Sequence, residues 1–285
     1  MKGITLRTGA TGFVGRQVLR ALVGKGVQVR LVVREEKQGQ LNNLQSVESV
    51  VYTPDLFAED AVWWGSVCQG VDTVIHIAWY AEPGQYLQSA KNIDCLIGTL
   101  QMAKGVATAK TRRFVGIGTC VEYEVSSQSL SVGTPLHPLT TYAGSKAAAF
   151  MSLSQYLPQQ GVEFAWCRLF YLHGEGEDVR RLVPYLRTNL AAGLPAKLTN
   201  GQQIRDFLDV RDAGQMIAEI SLGLQQGPIN ICSGIPTTVR ELAERIADEY
   251  GRRDLLEFGA LPDNTMGPPC VVGVSSLVGD KSISI

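Results

Sequence analysis

A glycine-rich segment, Gly9-Ala10-Thr11-Gly12-Phe13-Val14-Gly15, lies between a strand-like run and a helix-like run. That placement restricts the fold more than any other feature. Gly3 to Thr8 reads as a first strand. From Phe13 to Gly24, Val14, Val18 and Leu22 recur every four residues, as the buried stripe of a helix does, and Lys25-Gly26 supplies a helix end. Glycines at a strand-to-helix turn let the backbone approach an anion closely. The helix N-terminus adds unpaired N–H groups and the positive end of a dipole. The pattern points to a pyrophosphate cradle; a close-packed turn without a ligand is the alternative reading.

The same alternation continues. Val27–Val33, Val50–Tyr52, Val71–Ala78, Arg113–Gly118 and Val162–Phe170 read as strands, with helices at about Asn92–Ala107 and Thr141–Tyr156. Strands separated by helix-length crossovers predict a parallel sheet covered on both faces, an α/β doubly wound sheet of Rossmann type. After Phe170, glycine, proline and polar residues become frequent and the runs shorten. Arg180–Ala192, Ala213–Leu224 and Thr238–Tyr250 read as helices, and Ile229–Ile231 as a strand. The expected organisation is a dinucleotide-binding domain over 1–170, to which segments near 206–232 return. A smaller C-terminal α/β substrate lobe over 171–285 completes it. Arg7 sits inside the first strand, where a buried run calls for an apolar side chain, and the sequence offers no reason for it.

Composition narrows the function. Among 285 residues, 26 Lys and Arg nearly balance 27 Asp and Glu, which leaves no basic excess for nucleic acid. No apolar stretch reaches the ~18 residues of a membrane span. The six cysteines form no CxxC pair, and three histidines (His76, His137, His173) lack metal-ligand spacing, so neither a disulfide frame nor a metal site is expected. With no apolar leader in MKGITLRTGATG, a cytoplasmic protein is the expectation.

Three further patterns carry chemistry. Tyr142 and Lys146 form YxxxK, which puts a phenol and an amine on one helix face. A nearby ammonium favours phenolate, so a lowered tyrosine pKa and an acid/base role near neutrality are expected. Thr119 ends the fifth strand, where a hydroxyl can bond a substrate carbonyl or alkoxide. Near the end of the second strand, Val33 fills the place where a ribose-binding carboxylate is commonly found, and Arg34 follows it. Arg34 suits a 2′-phosphate and favours NADP(H), while Glu35 and Glu36 keep NAD(H) open. Asp55-Leu56 follows the third strand, placed to meet an adenine ring. Arg205 offers a diphosphate clamp, although a surface ion pair with Asp206 explains it equally. His76 reads as a core histidine, and Cys120 as a wall of the pocket rather than a nucleophile.

Taken in order, TGATGFVG (8–15), Asp55-Leu56, HIA (76–78), GTCVEY (118–123), YAGSK (142–146), RLFYLHG (168–174) and RDFLDVRD (205–212) resemble the extended short-chain dehydrogenase/reductases. Within them the chain is similar to the nucleotide-sugar epimerase/dehydratase family, over about residues 1–275. The resemblance implies a catalytic set of Thr119, Tyr142 and Lys146. It implies cofactor contacts at Gly9, Gly12, Phe13, Val14, Gly15, Arg34, Asp55, Leu56, Ala78, Tyr142 and Lys146. Substrate contacts would fall at Trp79, Thr119, Cys120, Tyr171 and Arg205. A nucleoside-diphosphate sugar is the implied partner, and a homodimer built on the helices at 92–107 and 141–156 the implied assembly.

Departures from the family refine this. Dehydratases of the family carry Asp-Glu after the active-site threonine; Cys120 and Val121 stand here, which argues against elimination of water. Tyr171 replaces an asparagine, Trp79 a second alanine, and Leu261 an arginine, so substrate placement differs. LTNGQQIRDFL is similar to bacterial 4-ketoreductases such as CDP-paratose and CDP-abequose synthases. The expected activity is NAD(P)H-dependent reduction of a nucleoside-diphosphate 4-keto-6-deoxyhexose. A 4-epimerase with tightly bound NAD is the alternative, and a non-catalytic NADP(H) sensor a third. The family's closing helix has no counterpart after Leu277, so a different or shortened C-terminal end is expected.

Overall fold

The computed structural model describes residues 3–40, 47–125, 129–263 and 267–276. The expectation about the chain beyond Leu277 lies outside the described residues. The first half contributes β1 (Ile4–Thr8), α1 (Phe13–Gly24), β2 (Val29–Arg34), β3 (Val47–Thr53), α2 (Ala61–Val67), β4 (Val71–His76), α3 (Lys91–Thr108), β5 (Arg113–Thr119), α4 (Thr141–Gln159) and β6 (Glu163–Leu169). The second contributes β7 (Tyr171–His173), α5 (Leu182–Ala191), β8 (Ala196–Leu198), β9 (Ile204–Asp209), α6 (Val210–Leu222), β10 (Gly227–Ile231), β11 (Pro236–Thr238), α7 (Val239–Tyr250), β12 (Leu256–Phe258) and β13 (Cys270–Val271).

Seven strands form one parallel sheet in the order β3-β2-β1-β4-β5-β6-β10. The strand order reverses between β1 and β4, and a crevice opens there at the strands' carboxyl ends. Strand alternation sends Leu6, Val74 and Phe114 to one face, where they pack with Met102 of α3 and Leu153 of α4. Leu31, Ile75 and Val115 take the other face and meet Val18 and Leu22 of α1 and Ile217 of α6. The doubly wound α/β sheet expected from the alternation is therefore present. Beyond β6, the strands β7, β9, β11 and β13 make a second sheet, and β8 pairs with β12. A separate apolar cluster joins α5 and α7 through Leu186, Leu190, Leu242 and Ile246.

Local physics sets the element ends. Thr140 caps α4 by accepting from the Ala143 N–H at 3.1 Å. Thr238 and Glu241 form a reciprocal capping box on α7. Asp209 caps α6 through the Arg211 N–H, so this helix starts at Val210, three residues before the periodicity begins. The sequence reading missed α2: seven residues containing Trp63-Trp64 are too short to show a helical period. Asp60 nucleates it by accepting from the Trp63 N–H at 2.8 Å. No helix among the described residues is long and apolar enough to cross a membrane, and the six cysteines are free thiols.

Arg7 acquires a physical place. It shares a row with Leu31 and Ile75 on the α1 face and is fully buried. Its Nη2 donates to the Gly15 carbonyl at 2.6 Å, which ties β1 to the first turn of α1. Among the described residues no carboxylate answers the charge and Nε and Nη1 have no hydrogen-bond partner, and burial lowers the guanidinium pKa to about 9.

Candidate active site

The glycine-rich turn runs from β1 into α1 beside the end of β4. Gly9 has φ +70°, and a Cβ on it would lie 2.8 Å from the Ala78 nitrogen. A Cβ on Gly15 would lie 1.8 Å from the Gly9 carbonyl oxygen. Both positions thus exclude any side chain. Gly12 is the N-cap of α1 and provides no side-chain cap, so the first-turn N–H groups of Phe13 and Val14 remain for an anion. These features fit the diphosphate of a dinucleotide.

Thr8 and His76 fix the neighbouring strand end. The Thr8 hydroxyl accepts from the Ile77 and Ala78 N–H groups at 3.2 Å each. It lies 2.9 Å from His76 Nδ1, and His76 Nε2 lies 2.9 Å from the Thr99 hydroxyl. Thr99 spends its own proton on the Cys95 carbonyl at 2.7 Å. Hydrogen-bond accounting therefore makes Nε2 the protonated nitrogen of a neutral ring. Burial agrees, lowering the His76 pKa to about 3. His76 is a core histidine that orients the backbone around Ala78.

Thr119, Tyr142 and Lys146 converge where β5 ends against α4. The Thr119 hydroxyl is near enough to act on the half-buried Tyr142 phenol as a hydrogen-bond partner. Tyr86 meets the Tyr142 ring edge-on, 4.8 Å between centroids. Lys146 is buried, donates to the Ile117 carbonyl at 2.5 Å, and holds its ammonium 3.8 Å from the Trp79 ring centroid. The expected lowering of the Tyr142 pKa is not found. Burial, its largest influence, raises the phenol well above its ordinary value, because Lys146 is turned toward Ile117 and Trp79. Burial also brings the Lys146 amine down to about 7, against the opposing charge of Glu122.

The remaining expected residues are scattered around this centre. Arg34, at the exposed end of β2, pairs with Glu36 at 3.0 Å. Asp55 is exposed and its carboxylate accepts from the Phe57 N–H, while Leu56 is buried. Trp79 donates from Nε1 to Asn92 at 2.9 Å. Cys120 is buried among Tyr123, Phe170 and Cys232, and burial raises its thiol to about 12. Arg205 is buried too; it donates to the Ile204 and Pro269 carbonyls and lies 5.2 Å from the Tyr171 ring centroid. Only part of its guanidinium is left for a ligand.

Three features escaped the sequence reading. Tyr86 opens a single 3-10 turn, Tyr86–Gln88, too short to show a periodic signal. Glu122 was visible within GTCVEY, but its partner Arg168 is 46 residues away. An apolar hollow of about 300 Å³ in the second lobe, lined by Leu182, Tyr185, Leu198, Val239 and Leu261 among others, gathers residues from four segments.

A family model described as "NAD dependent epimerase/dehydratase family" matches residues 6–232. The chain belongs to this family. It is an enzyme of the extended short-chain dehydrogenase/reductase type. It is similar to the dTDP-6-deoxy-L-talose 4-dehydrogenase (NAD(+)) of Aggregatibacter actinomycetemcomitans, 22% identical over 270 residues, covering 93% of this chain and 97% of that one. It is also similar to the UDP-glucose 4-epimerase of Mycolicibacterium smegmatis, 26% identical over 274 residues, with 89% and 85% covered. Among solved structures, the UDP-N-acetylglucosamine 4-epimerase from Methanobrevibacter ruminantium, in complex with UDP-N-acetylmuramic acid, shares the fold with a TM-score of 0.82 at 22% identity, covering 97% of this chain and 91% of that one. The dTDP-glucose 4,6-dehydratase from Streptomyces venezuelae, with NAD and TYD bound, gives 0.78 at 21%, with 95% and 88% covered.

Proposed function

We propose that this family member is a nucleotide-sugar 4-ketoreductase: it reduces the C4 carbonyl of a nucleoside-diphosphate 4-keto-6-deoxyhexose with NADP(H). The observation that carries the reading is the meeting of Thr119, Tyr142 and Lys146 at the end of β5, beside the glycine-rich turn. The likeness to a 4-dehydrogenase of a dTDP-6-deoxysugar over nearly the full length of both chains supports chemistry at C4.

Gly9, Gly12 and Gly15 with the Phe13 and Val14 N–H groups would hold the dinucleotide diphosphate. Ala78 and Leu56 would flank its adenosine half, with Asp55 at the adenine, and Arg34 would leave Glu36 for a 2′-phosphate. The bound dinucleotide supplies hydride to the carbonyl carbon. Tyr142 delivers a proton to the developing alkoxide, and its raised pKa keeps the phenol protonated at neutral pH, as an acid requires. Thr119 orients the carbonyl oxygen toward that proton. Lys146 would hold the nicotinamide ribose and return a proton toward Tyr142. Trp79, Cys120, Tyr171 and Arg205 bound the sugar-diphosphate side, and the apolar hollow suits a base. Residues 1–170 with the returning segments near 206–232 act as the cofactor lobe, and 171–285 mainly as the substrate lobe. The exposed Ile93, Ile97 and Met151 on α3 and α4 provide the face for a homodimer.

Glu122 does not restore the missing dehydratase pair. Its carboxylate is buried against Arg168 and has no path to a sugar. The test is a panel of 4-keto and 4-hydroxy nucleotide sugars with NADPH, NADH and their oxidised forms, with NMR of the products. Oxidation of NADPH by a 4-keto substrate supports reduction; no oxidation with any 4-keto substrate refutes it. A strong NADH preference that survives Arg34→Ala refutes the cofactor assignment. A 4-epimerase is the second reading, favoured by the fold shared with 4-epimerases. It predicts epimer interconversion without net cofactor change and NAD that stays with the purified protein.

A further inference from the structure

We propose that Glu122 is a positioning residue of this active site: its buried carboxylate fixes the backbone that carries Thr119 and sets a negative charge behind the Lys146 amine, with the Trp166 indole between them. The inference rests on the catalytic reading above but is tested separately from it.

The geometry is fully specified. Glu122 Oε1 accepts from the Thr119 N–H at 2.8 Å, and Trp166 Nε1 donates to both carboxylate oxygens at 3.2 Å. Arg168 Nε donates to Oε2 at 2.7 Å. All of these partners are N–H donors, so the ionised carboxylate is the form whose bonds are complete. Burial pushes the carboxyl upward in pKa, and Arg168, Thr119 and Trp166 oppose it by favouring the anion. The arrangement is braced from behind. Arg168 Nη1 donates to the Tyr123 hydroxyl at 3.0 Å, which donates to Asn230 at 2.7 Å. A Cβ on Gly118 would lie 2.4 Å from Glu122 Oε1 and 2.2 Å from Trp166 Nε1, so glycine there gives the carboxylate its room.

Two consequences reach the chemistry. Thr119 is held at both ends of one turn: its N–H binds Glu122, and its hydroxyl accepts from Val121 at 3.5 Å. Lys146 Nζ lies 5.9 Å from the centroid of the Trp166 ring whose Nε1 binds Glu122, so the carboxylate charge also reaches α4, where it acts to raise the pKa of both Lys146 and Tyr142. The charged or titratable groups facing Glu122 are Arg168 on β6, Lys146 and Tyr142 on α4, and Cys120 and Tyr123 on its own segment. Burial brings Lys146 among them to about 7. A buried carboxylate behind an amine with a pKa of about 7 controls how much of that amine is charged at working pH.

The experiment follows the Lys146 side chain by ¹⁵N NMR in lysine-labelled full-length protein, which needs no substrate. The wild-type midpoint is expected near 7. Glu122→Gln keeps the acceptor for the Thr119 N–H but removes the charge, and is expected to lower the midpoint by about one unit or more. Glu122→Asp keeps the charge and withdraws it from Thr119. The midpoint should then stay near wild type, while kcat falls about tenfold at unchanged dinucleotide KM. Should Glu122→Gln leave Arg168 uncompensated and fail to fold, Glu122→Gln/Arg168→Met is read against Arg168→Met, which removes the opposing cation alone. A Lys146 midpoint unchanged between wild type and folded Glu122→Gln, or between Arg168→Met and the double variant, overturns the proposal. If the wild-type protein reduces no 4-keto nucleotide sugar, the substrate assignment falls, and the lysine titration still decides the role of Glu122.

Discussion

Replacing Gly15 or Gly12 with alanine should have different consequences, although both belong to the same turn. A methyl group on Gly15 would sit 1.8 Å from the Gly9 carbonyl oxygen and 2.8 Å from its carbon, where an ordinary contact begins near 3.4 Å. The overlap, about 1.6 Å, is with backbone, which cannot rotate away. Overpacking typically costs 1–3 kcal/mol, and a backbone clash belongs at the upper end, about 3 kcal/mol. Moving α1 off β1 also spreads the N–H cradle, so dinucleotide affinity should fall about 100-fold. Gly12 differs: its added methyl meets only the Gly9 oxygen at 3.5 Å, and its backbone is in an ordinary extended conformation. Gly12→Ala should keep stability within about 0.5 kcal/mol. If the turn holds a diphosphate as proposed, a methyl there crowds its approach, and affinity should still drop more than about tenfold. Urea unfolding and fluorescence titration with NADPH and NADH measure the two effects separately. If Gly15→Ala is as stable as wild type, or Gly12→Ala binds both dinucleotides normally, the turn is not the cradle inferred here.

Tyr142→Phe removes the proposed proton donor and should lower turnover by about 10²–10⁴ with dinucleotide affinity unchanged; comparable turnover would dismiss Tyr142 as the acid. His76 gives a signed pH prediction. Its folded pKa, about 3, lies below the ordinary 6.5, so its contribution is complete above pH 6.5 and is lost as pH falls toward 3. The slope is about 1.4 kcal/mol per pH unit. Between pH 6.5 and 5, urea unfolding should register a loss of about 2 kcal/mol that His76→Gln no longer shows; parallel pH curves would contradict the assignment. Arg7→Met replaces a buried, unanswered guanidinium with an apolar chain and should hold or raise the urea midpoint. A loss above about 2 kcal/mol would show that the bond to Gly15 matters more than the burial penalty.

What the sequence determined by itself was what depends on neighbours along the chain. Short strand-like runs separated by helix-length crossovers, and a four-residue apolar recurrence, set the parallel sheet and the helices on its faces. The strand–glycine–helix order located the cradle, and the four-residue spacing put Tyr142 and Lys146 on one helix. Tertiary structure alone decided what depends on distant partners and on the dielectric. Arg7 found Gly15 across the β1–α1 turn, Glu122 found Arg168 on the neighbouring strand β6, and Tyr86 met Tyr142 from a 3-10 turn too short to show a period. The pKa of Tyr142 shows the reason. Spacing along a helix places an amine near a phenol, but burial and the direction in which that amine bonds set the proton affinity. Both follow from packing that no short segment encodes.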